Sequence, residues 1–231
     1  MKLHITANKL AALITAKSPE RRQALVRSLK RAAGQDFPPF YTALRGPAKR
    51  FVLNGAADAA ELRRLVENMA KRHGSTWLNT DSRITSEAAR ALMQCAPKLR
   101  ALDATFVLPE PGTKAVLEYP QVDVITTPDL IVHGKRNHAP LIGAMRFYVA
   151  KESSYELGPH GAQLVAAMQH LWLLKVASGQ RAPDASLCLV LECFQQRVTC
   201  APDPGTMESL IQRGCDEFVR IWHALDDKEA A

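Results

Sequence analysis

Acidic residues are scarce at the start of this chain. The first fifty positions hold only Glu20 and Asp36 against eleven Lys and Arg, a balance of +9. The rest of the 231 residues carry nineteen basic and twenty-one acidic side chains, a balance of −2. The net charge of +7 therefore arises in the N-terminal fifth alone. Such asymmetry fits an anionic partner, nucleic acid first, or else a solvated basic helix face. Long apolar runs are missing too. No segment approaches the roughly 18 apolar residues of a membrane-spanning helix, so no membrane partner is expected. Asn8 and Lys9 interrupt the opening apolar run and no small-residue cleavage site follows, so no signal peptide is expected. The five cysteines (95, 188, 193, 200 and 215) form no close metal-type pairs, which fits buried, reduced thiols in a cytoplasmic protein. Walker A, G-x-G-x-x-G and G-x-S-x-G sequences are absent, which argues against the nucleotide-binding and hydrolase classes that need them.

What is present is ordinary globular composition, 47% hydrophobic and 23% charged, enough to build a substantial core. A short helix is expected from about residue 7. Ser18-Pro19-Glu20 is a helix start: Ser caps, Pro fits the first turn and Glu meets the positive end. That helix should run to about 33 and stop at Gly34, with Ala24, Leu25, Leu29 and Ala32 as its apolar stripe. Arg21, Arg22, Arg27, Lys30 and Arg31 dominate the rest, a face suited to backbone phosphates. Residues 36–39 break the chain. A short helix around Phe40, Tyr41 and Leu44 should end at Gly46-Pro47, and 48–53 is ambiguous. Asp58 caps a helix to about Arg72. Residues 77–81 read as a loop, and Thr85 or Ser86 as the start of a helix ending before Pro97.

Strands begin at about 104. They are expected at 105–108, 115–119, 122–127, 130–133 and, most clearly, 141–150, with the polar loop GKRNHAP at 134–140. A helix at 160–176 follows, with Leu164, Val165, Met168, Leu171 and Trp172 on one face. A strand at 186–194, its hairpin partner at 197–200 and a last helix to about 225 complete the chain. The fold class is α/β (α+β): a central mixed sheet flanked by helices. The division is a helical, basic region at 1–100 and a core at 101–231, with helix 85–95 attachable to that core.

Two features stand out in this order, the pair Pro128-Asp129 and the strand containing Ala144-Met145-Arg146. Over about residues 85–202 the chain resembles the restriction-endonuclease-like, or PD-(D/E)XK, superfamily. In that family an acid on one strand meets an acid and a lysine two residues apart on the next. Spacing of two puts both on one face. The acids hold Mg²⁺ and the lysine orients water or stabilises charge. The resemblance implies Asp129 as first acid and metal ligand, Ala144 at the second acid's position and Arg146 at the lysine's. Alanine offers a metal no oxygen. Arg146 keeps the charge and can grip phosphate, but it stays protonated and is no general base. Glu87, on the preceding helix, is the candidate replacement ligand, or a first-turn acid complementing the helix dipole. Glu118 and Asp123 should face each other across a tight turn, and Glu152 lies at the far end of the long strand.

Lys135 and Arg136, flanked by His133 and His138, are further candidates for phosphate contact. Gln163 and Gln169 sit on the helix after the site and read as helix surface or helix–sheet contact. Three functions follow. The first is a DNA- or RNA-binding protein with a nuclease-like core and an impaired metal site, Asp129 and Arg146 being what is left of it. The second is an active Mg²⁺-dependent nuclease with a relocated acid. The third is a protein-interaction module without a nucleic-acid role. The sequence leaves a homo-oligomer open.

Overall fold

The computed structural model describes residues 2–32, 41–150, 157–177 and 181–229. The expected helix stop at Gly34, the break at 36–39, Phe40 and Glu152 lie outside the described residues. The chain opens with β1 (Leu3–Thr6), α1 (Ala7–Thr15), α2 (Pro19–Ala32), α3 (Thr42–Leu53), α4 (Ala60–Ala70), α5 (Thr76–Gln94) and α6 (Ala96–Arg100). Strands β2 (Thr105–Val107), β3 (Val116–Glu118), β4 (Val122–Ile125), β5 (Leu130–Arg136) and β6 (Ala139–Tyr148) come next. Then follow α7 (Gly158–Val176), β7 (Ala182–Pro183), a 3₁₀ turn (Ala185–Leu187), β8 (Leu189–Glu192), β9 (Arg197–Cys200) and α8 (Pro204–Glu229). No helix among the described residues is long and apolar enough to cross a membrane.

The central sheet runs β2-β5-β6-β8-β9, with β7 beside β6. β6 is parallel to both β7 and β8, reaching them through α7, and the other neighbours are antiparallel. Alternate residues of the strands enter two cores. Ile131, Ala144 and Val190 pack with α1, α7 and α8 on one face; Leu130, Val132, Met145, Leu189 and Leu191 pack with α3, α4, α5 and α6 on the other. Both faces are covered, which is why these strands read as nearly continuous apolar runs. The result is a mixed α/β architecture with helices on both sides of the sheet. Each core draws residues from before and after position 100.

Several local expectations are corrected. The strand pair at 115–127 does not join the central sheet. It forms a separate sheet with β1, an unanticipated strand parallel to β4. Glu118 does face Asp123 in the β3–β4 hairpin, and Lys2 reaches Asp123 at 3.1 Å. Residues 77–81 are helical, because α5 already begins after Ser75, whose hydroxyl accepts the Leu78 N–H at 3.3 Å. Inside α5, Thr85 donates to buried Asp81 at 3.3 Å. Gly46-Pro47 lies within α3. Glycine has no Cβ to clash with the following ring, which removes much of the usual penalty. The 134–140 loop is a two-residue hairpin. Asn137 (φ 50°) and His138 (φ 68°) are both left-handed, as a type I′ turn requires, so β5 runs to Arg136 and β6 starts at Ala139. Helix α7 is buried on almost every side from Gly161 to Leu173, being enclosed by the sheet, α1 and α8. In α2, Val26 is fully buried and Ala24 exposed. Of the five cysteines only Cys200 is exposed. Burial pushes the Cys95 thiol up to about 11, so it stays protonated and unreactive.

Gly143 fixes how closely β6 approaches the 3₁₀ turn. A Cβ there would lie 2.1 Å from the Leu187 carbonyl oxygen. Backbone cannot yield as a side-chain tip can. Gly143→Ala is therefore expected to lose about 3 kcal/mol or more in urea unfolding, the upper end of overpacking costs. A loss below about 1 kcal/mol would show that the turn is not held against β6.

Candidate functional site

Pro128 and Asp129 stand immediately before β5. The Asp129 N–H donates to the Met145 carbonyl at 2.8 Å, which starts the β5–β6 ladder. Proline has no N–H to donate to the ladder. On the neighbouring strand, the Phe147 N–H donates to the Asp129 Oδ2 at 2.9 Å. The Arg146 Nε lies 3.7 Å from the same oxygen, and its Nη1 donates to the Thr127 carbonyl. The two residues singled out from sequence thus converge, with Asp129 largely buried and Arg146 about a quarter exposed.

The donor set does not suit a hard divalent cation, which wants several oxygens, mostly carboxylates. Ala144 is fully buried among apolar neighbours and has no oxygen to give. The Asp129 Oδ2 and the Thr127 carbonyl both face the Arg146 guanidinium. Glu87 pairs with Arg83 at 3.2 Å, one turn back on α5. Among the described residues, no group of three or more His, Cys, Asp or Glu side chains is placed to hold a metal.

Around this pair opens a cleft of about 1280 Å³. It lies across the C-terminal end of β6, with α1 and α2 on one side and α3 and α5 on the other. Its described lining includes six cations, Lys9, Lys17, Arg21, Arg45, Arg83 and Arg146, against one carboxylate, Asp129. Lys9, Lys17 and Arg45 have no acidic partner among the described residues. Tyr41, Phe147 and Tyr148 bring aromatic surface to the same walls. Burial pushes the Tyr148 hydroxyl up to about 12, helped by the negative charge of Glu192. Glu192 is itself fully buried, with Arg197 Nε 2.6 Å from its Oε2.

The other basic residues divide sharply. Arg22 donates to both Glu217 oxygens at 3.1 and 3.2 Å, and Lys30 pairs with Asp226 and lies over the Trp222 ring. Both fasten α2 to α8. Arg21 reaches the cleft, while Arg27 and Arg31 are exposed on α2. Lys135 and Arg136 stand at the opposite end of the sheet. Lys135 pairs with Pro140, six positions from Asp129, about 20 Å along a strand. Arg136 is engaged with Asp184 at 3.0 Å. The cleft residues Lys9, Lys17, Arg45 and Arg83 were not singled out from sequence. Their signal was present only collectively, as the basic excess of the first fifty residues, which supplies four of the six cations.

Asp129→Ala removes both the acceptor for the Phe147 N–H and the partner of Arg146, so it should cost about 1–3 kcal/mol in urea unfolding. Asp129→Asn retains an oxygen acceptor and should cost clearly less. Equal losses would mean that the ladder hydrogen bond contributes nothing.

Comparison with family models, curated proteins and solved structures finds no match to this chain.

Proposed function

We propose that this chain binds DNA or RNA through the phosphate backbone, on a core of PD-(D/E)XK type whose metal position is held by an Asp129–Arg146 ion pair. The observation that carries this reading is the cleft, with six cations facing one carboxylate that is already paired. Arg83 is paired with Glu87 and Arg146 with Asp129, whereas Lys9, Lys17 and Arg45 have no acidic partner among the described residues. Positive charge left unanswered along a groove favours a polyanion over a neutral or apolar partner. Half-buried Tyr41, Phe147 and Tyr148 give bases a surface on which to stack.

Support for the core type comes from topology. A helix (α5), three adjacent strands (β2, β5, β6), a crossover helix (α7) and a parallel strand (β8) follow in order, with the β3–β4 hairpin set between β2 and β5. The Pro-Asp pair precedes the second of these strands, and Arg146 lies on the third. The cleft opens at the carboxyl ends of parallel β6 and β8, where open α/β sheets usually place their ligands.

Binding of labelled single- and double-stranded oligonucleotides by fluorescence anisotropy, across a salt series, tests the reading. Each phosphate contact contributes roughly 0.7 (single strand) to 0.9 (duplex) to the slope of log K against log salt. Lys17→Ala combined with Arg45→Ala should flatten the slope by about 1.4 to 1.8. Lys135→Ala with Arg136→Ala should leave it unchanged. If the hairpin pair flattens the slope instead, the binding face is at the other end of the sheet. No binding even at low salt would overturn the nucleic-acid reading and leave the interaction-module alternative.

A further inference from the structure

Beside the main cleft lies a smaller pocket of about 320 Å³, near the lower bound of small-ligand sites at about 300 Å³. It shares Arg45, Asp129 and Arg146 with the cleft and adds Lys49, Thr126 and Gln169. Three cations against one carboxylate leave two positive charges there. Lys49 and Arg45 have no acidic partner among the described residues.

Two buried polar atoms in the wall are unsatisfied. The Thr126 hydroxyl, on a residue only 3% exposed, has no hydrogen-bond partner among the described residues. Gln169 is fully buried in α7. Its Nε2 donates to the Leu189 carbonyl at 3.3 Å, while its Oε1 has no partner. Leaving such groups without a partner is costly, so they are rarely retained without a use.

The two orphans ask for different things. Thr126 can donate to an anionic oxygen held by the cations. Gln169 Oε1 can only accept, and a phosphate that has lost its protons offers it nothing. A sugar hydroxyl or a base N–H does. A ligand that satisfies both is a nucleotide with a terminal phosphate monoester, whose charge of about −1.5 to −2 also matches the pocket's excess. An internal phosphodiester carries only one negative charge. We infer that this pocket seats the phosphorylated end of a strand whose remaining nucleotides lie in the main cleft. This rests on the nucleic-acid reading above and narrows it to strand ends.

The test uses the full chain and one internally labelled single strand in three forms: with a 5′-phosphate, with a 3′-phosphate and with hydroxyls at both ends. One phosphorylated form should bind about tenfold tighter than the unphosphorylated strand at fixed salt. Lys49→Ala and, separately, Thr126→Val should bring that ratio toward one. Thr126→Val removes a hydroxyl that lacks a partner in the free protein, so its thermal midpoint should not fall. A folded Thr126→Val variant that keeps the full ratio overturns the inference. Three strands binding within about twofold of each other also overturn it, and leave backbone binding intact. If no strand binds, the nucleic-acid reading fails and takes this one with it. A nucleoside monophosphate that binds in calorimetry as tightly as the phosphorylated strand would make the ligand a free nucleotide rather than a strand end.

Discussion

A sheet covered on both faces can hold charge only at its ends, and this constraint shapes the molecule. Between Leu130 and Val132, at Ala144 and Met145, and from Leu189 to Leu191, no side chain is more than 9% exposed. A charge in that interior would need a partner and full hydrogen bonding to survive. The chain places its charged residues where the strands run out. Asp129 stands just before β5, Arg146 lies near the end of β6, and Glu192 ends β8 with Arg197 as its partner. The Asp129 carboxylate does two things in that position. It accepts the Phe147 N–H at the end of the ladder, and it holds Arg146 at the floor of the cleft. Strand-end capping and the anchoring of Arg146 are thus joined in one side chain.

The basic excess of the N-terminal fifth serves two purposes that composition alone cannot separate. Arg22 and Lys30 are fastening devices between α2 and α8, their stems packed and their charges answered by Glu217 and Asp226. Lys9, Lys17 and Arg45 face the cleft without acidic partners among the described residues. The distinction follows from helix geometry. Arg22, Val26, Leu29 and Lys30 fall on one side of α2, spaced by three and four, and that side meets α8. Arg21 is rotated away from it and reaches the cleft.

The central strands, the two long C-terminal helices and the Ser18 cap were legible in the sequence because each rests on local pattern or local hydrogen bonding. Ser18 Oγ accepts the Arg21 N–H at 3.3 Å, whereas the cap position of α4 falls to Ala59 and Asp58, one residue earlier, accepts the Ala60 N–H at 2.8 Å. Strand β1 was hidden because its four residues form a strand only by pairing with β4, over a hundred positions away. Helix α5 was cut short on paper because Thr, Asn, Asp and Ser usually favour caps and turns; here Thr80 bonds back to the Thr76 carbonyl at 2.8 Å and Thr85 to Asp81. The meeting of Asp129 with Arg146 followed from strand order. The cleft walls did not, since they join α1, α2, α3 and α5 through tertiary packing that no short-range pattern encodes. From sequence Gln169 reads as helix surface or helix–sheet contact; it is fully buried and its amide nitrogen makes the latter, while the unanswered oxygen is visible only in three dimensions.

The central claim is that a guanidinium, not a metal, holds the Asp129 carboxylate while the cleft grips its anion. It is tested most directly by measuring oligonucleotide affinity in chelator and in magnesium at equal ionic strength. The account predicts the same Kd in both. An affinity that rises about tenfold with magnesium, and loses that response in Asp129→Asn, would contradict it.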